Sequence, residues 1–415
     1  MKEYIEKLLK EAKENTYKII KLNTDLKNKI LLKMADYLIK EKDYILKENK
    51  KDIDNAIKNK LPKSTIDRLL LNEKRLNEMS TSLKEIAKLE DPIYKEIYFK
   101  ERNGLLIRKV RFPIGVVLII YEARPNVTSD CIGLLFKSSN IGILRGGSDA
   151  FYSNMAIKSV LERASLDSNL DFKPFFVIEN TDHRLVDILL KKDNYIDLVI
   201  PRGGETLIRK VVKKSKIPVI KHYKGVCHIF VDEEIDLEKA IRVCVNAKVQ
   251  RPSVCNAVEK ILVHKNIAKS FLPLLKKEFD KYNVKIRGDK ETCRILKGIE
   301  KAKEKDWFEE YLDLIITIKV VKNIDQAIRH INFYGSHHTD SIITKNKNNI
   351  EKFMQEVDSA CCFANISTRF SDGYQFGLGA EIGISTDKLH ARGPMALEEL
   401  TTYKWIVEGD GQIRE

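Results

Sequence analysis

Gly115-Val-Val-Leu-Ile-Ile-Tyr121 and Ile141-Gly-Ile-Leu144 are short apolar runs, the second followed by the turn Arg145-Gly-Gly147, and a helix-period stretch, Val127 to Lys137, lies between them. The alternation continues with a helix over Asp149 to Ala164 and strands over Phe175 to Ile178 and Ile196 to Ile200, the latter two separated by His183 to Lys192. A helix over Glu205 to Lys214 and a fifth strand over Ile217 to Ile220 close the series. Strand-helix repetition of this kind implies right-handed crossovers and a parallel sheet with helices on both faces, an α/β fold. Gly146-Gly147 and Gly203-Gly204 each follow a strand and open a helix, where backbone amides can meet a dinucleotide. Neither pair matches the six-residue dinucleotide fingerprint.

Upstream, residues 1 to 92 are helical in pattern, with a turn signal at Leu61-Pro62. Glu96 to Phe112 changes character to half-polar strands around Asn103-Gly104, a two-residue hairpin signal, as an arm outside the main core would show. Downstream, residues 225 to 385 repeat the alternation with longer pieces, and Leu400 to Val407 reads as a last strand. Inside this second region lies Gln250-Arg-Pro-Ser-Val-Cys-Asn-Ala-Val-Glu259, between a helix-period run (Asp236 to Lys248) and a strand-like run (Lys260 to His264). Pro252 cannot continue a helix and biases Arg251 away from helical angles, so Cys255 is expected in a turn, where its side chain can face a cleft. The plain alternative is a small buried hydrophobe.

With 415 residues, two lobes are expected rather than one core. A hydrophobic content of 43% with 32% charged residues describes a soluble globular chain. Seven cysteines at irregular spacing do not form a disulfide framework and fit a reducing, cytoplasmic setting. Met1 to Asn15 is an amphipathic helix rather than a signal peptide, and Ile114 to Ile120 is too short to span a bilayer. The net charge of +14 is mostly Lys scattered among Glu and Asn, without aromatic interleaving, which argues against nucleic acid. A basic surface does suit small phosphorylated metabolites.

Gly377-Leu-Gly-Ala-Glu-Ile-Gly383 has one residue too many for a nucleotide loop and reads as a close-packed loop. His337-His338 and Cys361-Cys362 are adjacent pairs that diverge on any regular element, so no metal site is expected. Longer motifs remain: Tyr121-Glu-Ala-Arg-Pro-Asn-Val-Thr128, Leu144-Arg-Gly-Gly147, Arg251-Pro-Ser-Val-Cys-Asn-Ala257, Tyr334-Gly-Ser-His-His-Thr-Asp340, Phe376 to Thr386 and Leu389-His-Ala-Arg-Gly-Pro-Met395. Across essentially the whole chain these resemble the gamma-glutamyl phosphate reductase family of the aldehyde dehydrogenase superfamily. The resemblance implies an aldehyde dehydrogenase-like fold with two Rossmann-like α/β domains and a small β-strand oligomerisation arm. The expected division is an NADPH-binding domain (1–92 and 113–224), a catalytic domain (225–388) and an arm (93–112 and 389–415).

The same resemblance implies reduction of L-glutamyl 5-phosphate by NADPH to glutamate 5-semialdehyde and phosphate, the second step from glutamate to proline. An acyl phosphate carries a good leaving group, so a Cys255 thiolate can displace phosphate and form a thioester. The tetrahedral species need fixed donors for their oxygen, and Asn126 matches the superfamily's oxyanion residue, with the Cys255 N–H as partner. Read without the resemblance, Asn126 is equally a turn residue after Arg124-Pro125. Arg145, Gly146, Gly147, Ser148, Gly203 and Gly204 match cofactor-contacting positions, and Arg145 beside Ser148 favours a 2′-phosphate, hence NADPH. Glu310 matches the residue that holds the nicotinamide ribose, with Glu309 as rival and solvated helix charges as the plain reading. Arg124, Arg251, His337 and His338 are candidates for the substrate's phosphate and carboxylate. A homo-oligomer, dimer or tetramer, is implied, and glutamate 5-kinase, which makes the unstable substrate, is a candidate partner. Two rival functions stand. An acid-forming dehydrogenase needs a general base where this chain reads Lys221-His-Tyr-Lys-Gly225, with His222 as the available substitute. A non-catalytic basic binding protein would tolerate loss of Cys255.

Overall fold

A computed structural model describes residues 2–221 and 223–414. The chain forms two compact units: Met1–Lys221 with Gly377–Gly383 and Met395–Glu415, and His222–Phe376 with Ile384–Pro394.

The first unit opens with α1 (Lys2–Ile19), α2 (Thr24–Lys40), α3 (Lys42–Lys58), α4 (Lys63–Leu69) and α5 (Glu73–Lys88). Asn23 and Asn72 start α2 and α5 by accepting the N–H groups of Leu26 and Arg75, so each start is set by a side-chain cap. Two strands, β1 (Glu96–Arg102) and β2 (Leu105–Pro113), pair antiparallel, and the C-terminal strand Thr401–Glu408 pairs on the other side of β2. Asn103 (φ 54°) and Gly104 (φ 72°) both take left-handed angles, as the two-residue hairpin signal requires.

The sheet of this unit follows the sequence alternation: β3 (Val116–Tyr121), α6 (Asn126–Lys137), β4 (Ile141–Arg145), α7 (Phe151–Leu166), β5 (Phe175–Val177), α8 (His183–Leu189), β6 (Leu198–Arg202) and α9 (Glu205–Lys214). All four strands are parallel, in the order β5-β4-β3-β6. Every residue of β3 is buried, and each such Val, Leu or Ile contributes about 1.5–3 kcal/mol. The expected fifth strand is corrected: Ile217 to Ile220 makes one isolated bridge, Val219 to Val199. Pro218 has no N–H for the ladder; its carbonyl accepts from Val199, and Ile220 N–H donates to the Val199 carbonyl, after which pairing stops. The glycine loop packs closely, as read: a Cβ on Gly379 would lie 3.1 Å from Leu89, and one on Gly383 would meet the Arg202 guanidinium.

The second unit repeats the plan with β7 (Cys227–Val231), α10 (Leu237–Val249), β8 (Val258–His264), α11 (Lys265–Asp280), β9 (Lys285–Gly288), α12 (Lys290–Ile295), β10 (Glu300–Lys301), α13 (Glu304–Phe308), β11 (Ile315–Val321), α14 (Ile324–Tyr334), β12 (Thr339–Ile343), α15 (Lys347–Glu356) and β13 (Cys361–Ala364). Its seven strands run in the order β10-β9-β11-β8-β7-β12-β13, all parallel. β7 and β8 are buried throughout, and Ile229, Val231, Ile261 and Val263 pack with Phe271, Leu275 and Phe279 of α11. This core fixes the carboxyl end of α10 and the amino end of β8, and so the turn between them.

Candidate active site

α10 ends at Val249, Gln250 caps it, and the chain turns through residues 251–257 before entering β8. Cys255 sits in that turn as a half-buried free thiol. Its backbone is held closely. A Cβ on Gly225 would lie 1.8 Å from the Cys255 carbonyl oxygen, so only glycine allows this approach. The Cys227 thiol donates to the same carbonyl at 3.2 Å, and the Gly225 N–H donates to Glu310 Oε1 at 2.8 Å. From the other side, Arg369 Nε donates to Gln250 Oε1 at 2.8 Å and its Nη1 to Asn256 Oδ1. Asn256 Nδ2 in turn donates to the Ser371 carbonyl at 2.8 Å. A turn pinned at both ends keeps its central side chain in one place, which a nucleophile requires.

Five of the other six thiols are held back by burial. Burial pushes Cys131 up to about 12 and Cys362 up to about 11, and it raises Cys227, Cys244 and Cys293 as well.

Glu310 lies beyond the end of α13 in an extended segment, half-buried, and its carboxylate reaches Gly225. It is not a solvated helix charge. Its rival Glu309 offers a backbone carbonyl that accepts from Lys260 Nζ at 2.7 Å. His338 is fully buried, its Nδ1 2.9 Å from Thr339 Oγ1 and 3.7 Å from the Cys227 sulfur. His337 (φ 59°) turns away to the Asp358 carbonyl, so the adjacent histidines diverge. Arg251 is exposed on the turn, and His222 lies outside the described residues.

In the first unit, Asn126 is the first residue of α6 and donates to Asp130 Oδ2 at 3.2 Å; Ser82 donates to the other oxygen at 2.9 Å. Burial pushes the Asp130 carboxyl up to about 6. Arg124 is half-buried, its N–H on the Glu122 carbonyl. The carboxyl ends of β4 and β5 open on a cavity of about 640 Å³ lined by Tyr4, Ser148, Phe151, Tyr152, Glu179 and Thr181. Arg145 does not line it. The guanidinium is buried and donates to the Thr181 carbonyl at 2.6 Å, so Arg145 supports the cavity wall. Gly146 is packed against Asn154 and Tyr121, and a Cβ on Gly147 would touch the Glu122 backbone at 3.3 Å. Gly203 faces the Glu122 carboxylate, which accepts the Gly204 N–H at 3.1 Å and so occupies the amino end of α9. The cavity's place at the strand ends, its size and its tyrosines fit the nucleoside part of a dinucleotide.

A family profile described as "Aldehyde dehydrogenase family" matches residues 1–313. A gamma-glutamyl phosphate reductase of Thermodesulfovibrio yellowstonii is 53% identical over 407 residues, covering 98% of this chain and 97% of the relative. The chain belongs to the aldehyde dehydrogenase family, in its gamma-glutamyl phosphate reductase branch. Another reductase of that description, from Caldanaerobacter subterraneus subsp. tengcongensis, is 51% identical over 413 residues, covering 99% of this chain and 100% of the relative. The crystal structure of a gamma-glutamyl phosphate reductase from Thermotoga maritima superposes with a TM-score of 0.95 at 47% identity, covering 98% of this chain and 99% of that one. An acetylating aldehyde dehydrogenase of Geobacillus thermoglucosidasius shares the aldehyde dehydrogenase fold, with a TM-score of 0.71 at 15% identity over 100% of this chain and 98% of that one.

Sequence reasoning missed Gly225, Asn256 and Arg369, which build the Cys255 turn, and Glu122, which meets both glycine pairs. Glu122, Asn256 and Gly225 lie within recognisable sequence stretches, but nothing local marks what they touch. The bonds that define Gly225 and Arg369 run to Glu310, Gln250 and Asn256.

Proposed function

We propose that this chain reduces L-glutamyl 5-phosphate to L-glutamate 5-semialdehyde with NADPH, using Cys255 as nucleophile, in the route from glutamate to proline. The observation that carries the reading is the half-buried Cys255 turn, pinned through Gly225 and Cys227 on one side and Arg369 and Asn256 on the other. The Cys255 thiolate attacks the acyl carbon, the S–C bond forms, and the C–O bond to phosphate breaks with its electron pair leaving on phosphate. Bound NADPH would supply the hydride that reduces the thioester. Asn126 Nδ2, which keeps one hydrogen beyond its bond to Asp130, and the Cys255 N–H serve as donors to the carbonyl oxygen. As that oxygen's charge collapses, the C–S bond breaks and the thiolate returns. Ser148 and the cavity-lining tyrosines, with Arg145 behind Thr181, hold the adenosine end, and Glu310 holds the nicotinamide ribose. The β1-β2 arm with the C-terminal strand joins copies of the chain, and glutamate 5-kinase is a candidate donor of substrate.

The acid-forming alternative needs a base to activate water. The segment ending at Gly225 carries no carboxylate among its described residues, and Gly225 itself is closed against the Cys255 carbonyl. Oxidation of the semialdehyde with NADP is therefore expected to require inorganic phosphate and to yield the acyl phosphate, with arsenate able to replace phosphate. Sustained oxidation without either, giving free glutamate first, would refute this reading. Cys255→Ala is expected to abolish turnover while NADPH still binds.

A further inference from the structure

We propose that Arg369, with Arg251, which follows the Gln250 that Arg369 bonds, binds the phosphate group of the acyl-phosphate substrate at Cys255. This assignment rests on the acyl-phosphate reading above and adds the group that receives the leaving anion.

Arg369 lies in the short 3-10 turn Thr368–Phe370 that follows β13. Its two bonded nitrogens reach Gln250 and Asn256, the residues that bracket the Cys255 turn. Both acceptors are neutral amide oxygens, so the guanidinium is located without being neutralised. Among the described residues no carboxylate forms an ion pair with Arg369 or Arg251. The nearby acid, Asp372, accepts the N–H groups of Tyr374 and Gln375 at 3.0 and 3.4 Å. Burial lowers the Arg369 pKa, Asp372 opposes that, and Arg251 adds to it. A half-buried cation that feels the repulsion of a second one is costly unless an anion joins them. Arg369 Nη2 has no acceptor among the described residues, which leaves its hydrogens for a ligand oxygen. An Arg fork suits phosphate, and two cations suit a dianion.

The position selects phosphate over the substrate's carboxylate. Arg369 is tied on both sides of the nucleophile, where the phosphoryl oxygen bonded to the acyl carbon must lie. The α-carboxylate sits at the opposite end of the carbon chain.

The test uses the full-length enzyme in the oxidative direction. Inorganic phosphate is expected to slow alkylation of Cys255 by iodoacetamide in the wild type, and Arg369→Gln to remove that protection. Arg369→Gln should raise the KM for phosphate about tenfold or more, leave the KM for semialdehyde unchanged, and Arg369→Lys should fall between. Arg251→Gln, an exposed change that cannot disturb the interior, should raise the phosphate KM alone by a smaller factor. If Arg369→Gln does not fold, the lysine and Arg251 variants carry the same comparison. Absence of phosphate protection in the wild type overturns the proposal. A rise confined to the semialdehyde KM would make Arg369 a carboxylate holder, and a fall in kcat with both KM values unchanged would leave it a scaffold; either sinks the assignment. Oxidation that needs no phosphate at all fails the parent reading instead.

Discussion

Asn126 and Asp130 form a pair one helical turn apart, and the carboxylate decides where the amide points. Removing the amide with Asn126→Ala is expected to lower kcat by about 10²–10³, the usual cost of one oxyanion donor. Asp130→Asn keeps an oxygen for the Asn126 amide, so its effect on kcat should be much smaller. Stability should respond in the opposite sense. The Asp130 value of about 6 in the folded protein lies above the ordinary 3.8 because burial penalises the charge. The native state therefore keeps this proton after the unfolded chain has lost it, and the cost of ionisation builds up between pH 3.8 and 6. Asp130→Asn should raise the Tm more at pH 8 than at pH 5, measured by calorimetry. An equal gain at both would mean that the carboxyl is not the source.

The element that carries Glu310 is short and irregular, and buried charges on β8 hold it. Lys260 Nζ donates to the Glu309 carbonyl at 2.7 Å, while Glu259, paired with Lys248 at 3.0 Å, accepts the Leu312 N–H at 3.3 Å. These bonds fall on either side of Glu310. Burial pushes Lys260 down to about 7 from the ordinary 10.5, so the native state releases its proton first, and stability from this group rises between those values. Lys260→Met removes a costly buried ammonium without leaving a carboxylate of its own ion pair. It should stabilise the protein most below pH 7, with the gain fading towards pH 10.5. Loss of the Glu309 tether should weaken NADPH binding about three- to tenfold, read by fluorescence titration. A variant that is more stable below pH 7 and binds NADPH unchanged would show that Lys260 does not position Glu310.

At the scale of the molecule, the arm is the least self-sufficient part. β1 is exposed along its whole length, and Phe99, Tyr403, Trp405 and Val407 are each about half exposed. Tyr98 and Trp405 meet edge to face at 5.6 Å on one face of the three strands, with Lys109 between them in the register. Exposed aromatic and aliphatic groups on a sheet with two free edges are costly in water and invite pairing. The chain is expected to sediment as a dimer or larger. Tyr98→Lys with Trp405→Glu should shift it towards monomer while circular dichroism of the α/β cores stays unchanged. A wild-type chain that sediments as a monomer across the working concentration range would refute the arm's role.

Local pattern alone determined the two stretches of strand-helix alternation, the hairpin at Asn103-Gly104, the last strand and the turn that presents Cys255. Each depends on residues close in sequence: an apolar period, a proline that stops a helix, two positions able to take positive φ. Tertiary structure decided the rest. Pro218 reduced a strand-like run to one bridge because the ladder needed an N–H it lacks. Glu309 and Glu310 are equivalent as letters; packing on β8 gave one a carbonyl tether and sent the other's carboxylate to Gly225. The sequence could not show that Arg145 donates to the Thr181 carbonyl behind the cavity, or that Arg369, unremarkable in sequence, reaches Gln250 and Asn256. Period and propensity act over a few residues, whereas the partner of a polar side chain is chosen by whatever the folded core brings within hydrogen-bonding reach.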